Sequence, residues 1–150
     1  MGKEFSKWFF NILNTLKDFG PEHFWPNCIL SAELYSPSEQ KEISLTGASD
    51  AATFLANLVI LDKYKFGANS SYDSIMVEME QHGLVKIMVS GVLYQHSNCV
   101  GLFDFAFGLV RNPDSEYNYK IQVIKVKMQV NCGSQGILPV NNRLPICQSV

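Results

Sequence analysis

Basic residues do not outnumber acidic residues in this sequence. Of its 150 residues, 12 are Lys or Arg and 14 are Asp or Glu, so the formal net charge is −2. Proteins that bind the nucleic-acid backbone carry clusters of Lys and Arg that neutralise phosphates. The composition therefore argues against direct binding of nucleic acid.

Cysteine is also scarce. The four cysteines are Cys28, Cys99, Cys132 and Cys147. They form no CxxC pair, and no His lies at the spacing of a metal site. We therefore predict no metal, no cofactor and reduced structural thiols, with a disulfide as the less favoured alternative.

Long apolar runs are missing as well. No stretch reaches the ~20 apolar residues of a membrane-spanning helix, and Lys3, Glu4 and Lys7 interrupt the aromatic residues near the start. A secretory signal would need a continuous apolar region there. We expect a protein of the nucleus and cytoplasm that does not contact membranes.

Motifs of catalysis are absent too: there is no Gly-rich phosphate loop, nucleophile elbow or HExxH run. Glu78, Glu80 and Asp104 alternate with the apolar residues of their own predicted strands, so they should point away from an apolar cavity. The sequence therefore predicts a protein that is not an enzyme. Three residues could reverse that prediction by pointing into a cavity: Tyr72, Asp73 and Tyr94.

What the sequence does contain is typical of one folded domain, since 47% of the residues are hydrophobic and 12% aromatic. Apolar residues recur at three- and four-residue steps from Phe5 to Phe19, which predicts an amphipathic helix. Gly20 and Pro21 end it. A hairpin of strands at Cys28–Tyr35 and Ile43–Leu45 should follow, and then a second helix running to about Lys63.

Four longer strands are predicted after the second helix, at Ser74–Gln81, Leu84–Tyr94, Leu102–Val110 and Tyr117–Val130. In the last one the apolar alternation slips by one residue at Val123–Ile124, which indicates a β-bulge. Bulges bend a sheet. We therefore expect an α+β fold in which a bent antiparallel sheet forms a cup around N-terminal helices. The domain should span residues 1–130, with an irregular tail over residues 131–150.

The predicted sheet has two different faces. Phe103, Phe105 and Phe107 should face the helices, while the reverse face mixes charged, small and apolar residues. The residues that should share this outer face are Lys86, Met88, Ser90, Asp104, Ala106, Gly108, Lys125 and Lys127. Such a face is either plain solvated sheet or an interface in which small residues let a partner approach closely.

Three segments resemble the nuclear transport factor 2-like family. They are Ile43–Gly47 with the helix after it, the strand Ile87–Leu93 and the strand Phe103–Leu109. The chain is most similar to the branch of small messenger-RNA export cofactors. The resemblance implies the cystatin-like cone of that family and pairing of two subunits through the outer face.

From this resemblance we expect a non-catalytic, protein-binding adaptor in nucleocytoplasmic transport. It would form a homodimer or a heterodimer with a transport receptor, and would act at the nuclear pore as an mRNA export cofactor or related carrier. The family also includes isomerases and dehydratases. A small-molecule binder or enzyme that uses the cup cavity is therefore the alternative.

This sequence differs from the family's Ran carrier in two segments, and both differences concern the partners that we expect. The loop Gln95–Asn98 has no acidic residue where that carrier has an acidic loop, which argues against Ran binding. The predicted strand Cys28–Tyr35 lacks the exposed Trp with which the carrier binds Phe-Gly nucleoporins. Phe24 and Trp25 lie nearby, and they are the candidate substitutes for that contact.

Overall fold

The structure, a computed structural model, describes residues 2–68, 75–80, 83–111 and 119–130. The elements in chain order are α1 (Gly2–Thr15), a 3₁₀ turn (Pro21–His23), β1 (Phe24–Tyr35), β2 (Gln40–Thr46), α2 (Ala48–Ile60), β3 (Tyr64–Ala68), β4 (Ile75–Met79), β5 (Val85–Gln95), β6 (Asn98–Arg111) and β7 (Tyr119–Val130). The predicted α+β cup is confirmed. The predicted tail over residues 131–150 lies outside the described residues.

Helix α1 buries its apolar stripe and ends earlier than the periodicity predicts. Phe9 and Leu13 are fully buried against the sheet. The Thr15 hydroxyl donates a hydrogen bond to the carbonyl of Asn11, and Leu16 then adopts a positive φ of 59°. A positive φ is incompatible with a right-handed helix, so the helix ends at Thr15 rather than at Phe19.

Helix α2 begins directly after Gly47. This residue has a φ of 112°, a conformation that glycine adopts without steric cost. Its backbone N–H donates a 2.8 Å hydrogen bond to the carbonyl of Cys28. The bond joins the start of α2 to β1, and it directs the buried residues Ala51 and Leu55 towards the concave side of the sheet. No helix in these ranges is long and apolar enough to cross a membrane.

The sheet has seven strands in the order β2-β1-β7-β6-β5-β3, and β4 pairs with β5 further along the same edge as β3. One strand pair corrects the prediction of a purely antiparallel sheet. Strands β1 and β7 run parallel, with Leu30 opposite Ile124. They are joined by most of the chain, so no tight turn requires them to run in opposite directions. The sheet is therefore mixed.

The predicted bulge in β7 is confirmed, one residue earlier than the sequence pattern placed it. Gly108 of β6 lies opposite Val123, whereas Leu109 lies opposite Ile121, so Gln122 has no partner on β6. The extra residue brings both Ile121 and Ile124 to the buried side. Val123 is then on the opposite face of the sheet, although its apolar character had predicted an inward position.

Aromatic side chains fill the concave side between the helices and the sheet. The Phe9 and Phe107 rings lie 4.8 Å apart between centroids, and the Phe10 and Phe105 rings 5.2 Å apart, both nearly edge-to-face. Phe103 is buried in the same cluster, where it contacts Phe10. The inward assignment of Phe103, Phe105 and Phe107 is therefore confirmed.

Candidate protein-binding face

The eight residues predicted for the reverse side of the sheet lie together on its convex side, in three rows across β5, β6 and β7. We call this set the outer face. Strand pairing arranges these eight residues, together with Val123, in three rows. The rows are Lys86–Gly108–Val123, Met88–Ala106–Lys125 and Ser90–Asp104–Lys127. Residues that face each other across paired strands lie about 4.5–5.5 Å apart at Cβ. The outer face is therefore one contiguous surface.

Two adjoining grooves cross this surface. One has a volume of ≈ 300 Å³ and is lined on β5, β6 and β7 by Met88, Ser90, Asp104, Ala106, Lys125 and Lys127. The other, of ≈ 360 Å³, is lined by Lys86, Met88, Ala106, Gly108, Val123 and Lys125. Met88, Ala106 and Lys125 line both grooves. The middle row of the outer face is thus the shared wall between them.

The centre of the outer face is apolar and accessible. Met88 is 39% exposed, and Met76 of β4, directly opposite it in the sheet, is 59% exposed. Val123 adds a third apolar side chain because of the bulge at Gln122. Sequence reasoning missed Met76 and Val123 as members of this surface. Pairing β4 with β5 would have placed Met76 there, but no short-range pattern marks that register.

Polar contacts lie along the row Ser90–Asp104–Lys127 at one end of this apolar centre and continue onto β1. The Ser90 hydroxyl donates a hydrogen bond to a carboxylate oxygen of Asp104. The ammonium group of Lys127 lies 5.8 Å from the centre of the Tyr35 ring, in a cation–π contact. The Tyr35 hydroxyl donates to Glu33 across 2.6 Å. This hydrogen bond raises the pKa of Tyr35, because it stabilises the protonated phenol.

The three lysines of the outer face differ in their partners. Lys86 forms a 2.7 Å ion pair with Glu80, which raises the pKa of the lysine. Lys127 lies on the Tyr35 ring. Lys125, between the two grooves, forms no ion pair with any residue within the described ranges. An unpaired cation beside apolar side chains can bind a carboxylate of a partner without first breaking a contact in its own chain.

The structure does not support Phe24 as a contact for Phe-Gly repeats. Phe24 is 1% exposed and packs on Phe19, with 6.1 Å between ring centroids. A side chain in the core cannot meet a partner, so this part of the prediction is wrong. Trp25 is half-buried at the start of β1. Its indole N–H donates to the carbonyl of Val110, and the Lys120 ammonium lies over its ring.

Of the three residues considered for catalysis, the structure describes only Tyr94, and it does not face the core. Tyr94 is half-buried and alternates with Leu93, which is fully buried, so the tyrosine lies on the opposite side of the sheet from the core. Tyr72 and Asp73 lie outside the described residues. Among the residues that the structure does describe, no group of three or more His, Cys, Asp or Glu side chains could hold a metal ion.

The two cysteines in the described ranges are in different states. Cys28 is a free, fully buried thiol, and burial raises its pKa. Cys99 is disulfide-bonded, with a partner outside the described ranges. The prediction of a reduced thiol is therefore wrong for Cys99, and the less favoured alternative applies there.

One protein family and two rodent proteins match this chain in sequence. Residues 1–136 match the family described as the DUF4518 C-terminal domain. The chain belongs to this family. It is 32% identical over 136 residues to a Mus musculus protein, and 30% identical over 153 aligned positions to a Rattus norvegicus protein; both bear the name Uncharacterized protein C3orf38 homolog. The matches cover 85% and 97% of this chain but only 39% and 43% of those proteins.

Solved structures share the fold at low sequence identity. The yeast Ubp3-associated protein Bre5 matches with a TM-score of 0.62 and 14% identity, over 83% of this chain and 91% of that one. Nuclear transport factor 2 of Cryptosporidium parvum matches with a TM-score of 0.60 and 13% identity, over 85% and 90%. These likenesses show that the fold is nuclear transport factor 2-like, as the sequence resemblance implies.

Proposed function

We propose that this domain is a non-catalytic protein-binding module that docks a partner protein on its outer face. The observation that carries the proposal is the exposed row of Met76, Met88 and Ala106 between two grooves. Apolar side chains with a polar rim are typical of protein interfaces. Ser90, Asp104 and Lys127 supply that rim on one side.

Two relatives of the same fold support this proposal through what they do. One solved structure shows Bre5 as the cofactor of the yeast deubiquitinase Ubp3, in a complex with it. The other is named as a nuclear transport factor. A fold supports many functions, so the docking proposal rests on the outer face of this chain and takes only the general role of a binding module from the two relatives.

The messenger-RNA export resemblance adds a specific partner, role and location to this proposal. The domain would then pair with a transport receptor, act as an mRNA export cofactor at the nuclear pore and move between nucleus and cytoplasm. Trp25 would be the remaining candidate for a Phe-Gly contact. Fluorescence microscopy of the tagged full-length protein tests the location, and a protein confined to one compartment throughout would remove this finer proposal.

Docking on the outer face is tested by charge insertion. Met88→Arg and Ala106→Arg each put a cation in the centre of the surface, where binding would bury it without a partner at a cost of several kcal/mol. Both variants should fold, because neither side chain belongs to the core. Leu61→Arg is the matched control, since Leu61 is 68% exposed at the end of α2 and lies off the outer face.

Light scattering coupled to size exclusion, followed by affinity capture, provides the readouts. A homodimer or a captured partner complex should be lost in Met88→Arg and Ala106→Arg and kept in Leu61→Arg. A complex that survives both arginine substitutions would refute docking on the outer face. A chain that stays monomeric and captures no partner in any form would remove the binding-module proposal itself.

A further inference from the structure

The open edges of the sheet are protected to different degrees. Strand β2 forms one edge, and β3 and β4 lie one after the other along the opposite edge, both paired with β5. An unpaired edge offers a row of backbone N–H and C=O groups to any other strand. Strand β2 carries the exposed charged residues Lys41 and Glu42, which are the kind of residue that discourages pairing at an edge.

The edge of β3 is closed by helix α1. The side-chain amide of Asn14 donates a 2.8 Å hydrogen bond to the carbonyl of Phe66 and accepts one of 2.8 Å from the Phe66 backbone N–H. The Lys65 ammonium donates to the backbone carbonyl of Asn14 at 2.7 Å, which holds the two elements together. Another strand therefore cannot pair with β3 at Phe66 without displacing Asn14.

Strand β4 contacts α1 only through side chains, where Ile75 and Val77 lie against Gly2, and no described residue forms hydrogen bonds with its outer backbone edge as Asn14 does with β3. Its sequence is Ile-Met-Val-Glu-Met, without Lys or Pro. Met76, Val77 and Met79 are 59%, 45% and 67% exposed. An exposed edge strand of apolar residues is a template for pairing. Glu78 forms no ion pair within the described ranges.

We propose that β4 accepts an extended segment of a partner protein as an additional strand of the sheet. The segment would carry apolar residues that pack on Val77 and Met79, which lie on the same face of β4. It would also carry a Lys or Arg opposite Glu78, because opposite charges that face each other across a strand pair stabilise the pairing. The site goes beyond the outer-face proposal, since it uses the edge of the sheet rather than its convex side.

The same geometry disfavours a second copy of this chain as the occupant. Two β4 strands in an antiparallel pair overlap fully only when the two-fold axis passes through Val77. Glu78 then lies opposite Met76 of the second copy, and that copy supplies no cation. Moving the axis to Glu78 sets the two carboxylates opposite each other, and like charges in that position are destabilising. A foreign segment with a basic residue meets neither problem.

Selection of peptides tests the proposal. Random linear peptides displayed on phage would be selected against the full chain, and the enriched sequences would be synthesised and titrated by fluorescence anisotropy. We expect apolar residues at alternate positions, with a Lys or Arg in the other phase. N-methylation of alternate residues along one edge of the peptide should abolish binding. Methylation shifted by one residue should not, because only one edge of a strand faces β4.

Variants of the chain locate the site. Met79→Lys should weaken peptide binding by roughly tenfold to a hundredfold, because it removes an apolar contact and places a charge beside the apolar residues of the peptide. Leu61→Lys is the control, with 68% exposure against 67% for Met79. It should leave binding unchanged.

Four outcomes would overturn the proposal. The first is that no enriched peptide binds in solution, and the second is that binding tolerates N-methylation on both edges. The third is that Leu61→Lys weakens binding as much as Met79→Lys does. The fourth is a dimer of the chain that Met79→Lys dissociates, since the occupant of β4 would then be a second copy. The outer-face proposal survives each of these results.

Discussion

The side chain of Asn14 pairs with the backbone of Phe66 as a neighbouring strand would, through one donated and one accepted hydrogen bond of 2.8 Å each. The two residues lie on α1 and β3, which are far apart in sequence. The contact joins the N-terminal helix to the sheet edge and satisfies backbone groups that would otherwise face the helix unpaired. It also makes Asn14 a residue whose importance the helical pattern does not reveal.

Replacing Asn14 should therefore destabilise the domain more than replacing another polar residue of α1. We expect Asn14→Ala to lower the free energy of unfolding by about 1–3 kcal/mol, because the Phe66 N–H and carbonyl lose their partners while partly buried. Asn11→Ala on the exposed side of α1 is the control and should change it by less than about 0.5 kcal/mol. Urea denaturation followed by circular dichroism measures both. Equal values for the two variants would contradict the role assigned to Asn14.

The sequence predicted those parts of the fold that carry a regular apolar pattern. The stripe of α1 and the alternation of Phe103, Phe105 and Phe107 each identify a buried side without any tertiary information. The slip in β7 also predicted the bulge. All of these signals are local, because they depend on the three- to four-residue and two-residue periods of helices and strands.

The parts that sequence reasoning missed depend on tertiary pairing. Strand β3 is short and follows Lys63, which has a positive φ of 63° three residues after α2 ends at Ile60. Its strand partner among the described residues is β5. The prediction started β1 at Cys28 because Pro26 interrupts the pattern. The strand in fact begins at Phe24, and Pro26 lies where the β1–β7 register shifts, a place where a missing backbone donor is tolerated.

The sequence predicted eight residues of the outer face and missed two others. Alternation on β5, β6 and β7 gives all eight residues, yet Met76 and Val123 join them only through the β4–β5 register and the extra residue in β7. Local alternation thus accounts for the eight residues, whereas the two additional apolar side chains depend on strand register.

Phe105 should be one of the residues on which stability depends most. It is 1% exposed and contacts the rings of Phe10 and Phe66 at 5.2 and 5.4 Å. We expect Phe105→Ala to cost about 3–5 kcal/mol, since it leaves a cavity among aromatic rings that cannot close around it. Met88→Ala on the neighbouring strand should cost less than about 1 kcal/mol, as its side chain is already accessible. Thermal and urea unfolding would show a similar loss in both variants if the inward and outward assignments were reversed.

The buried thiol of Cys28 should make stability depend on pH in the alkaline range. Burial raises the pKa of this thiol, so the folded state holds the proton more tightly than the unfolded state does. The stabilisation is complete below the pKa of the unfolded thiol, and it declines as the pH rises through the pKa of the folded one. Cys28→Ala should therefore lose less stability than the original chain as the pH rises from neutral into the alkaline range.

Urea titrations at a series of pH values measure this difference. A direct check is alkylation, because the native Cys28 thiol should react with iodoacetamide only after unfolding, as the thiolate is the reactive form. Fast labelling of native Cys28 would contradict the assigned burial. Cys99 should be recovered in a disulfide-linked peptide when the protein is digested without reductant.

Deleting Gln122 tests whether this residue is the extra one in β7. Deleting Gln122 removes the extra residue, so β7 would pair with β6 as a regular ladder in which Val123 stays opposite Gly108 and Ile121 stays opposite Leu109. Ile121 would remain in the core and Val123 on the outer face, because the two then alternate as in a regular strand. We expect a loss of less than about 2 kcal/mol, because the deletion straightens β7 locally and moves no core side chain into water.

Gln122→Ala is the matched control for this deletion. It keeps the bulge and removes only the 3.3 Å hydrogen bond from the Gln122 amide to the carbonyl of Asn27, which is exposed. That change should cost less than about 1 kcal/mol. A deletion that costs as much as Phe105→Ala would mean that Ile121 leaves the core. The extra residue of β7 would then not be Gln122.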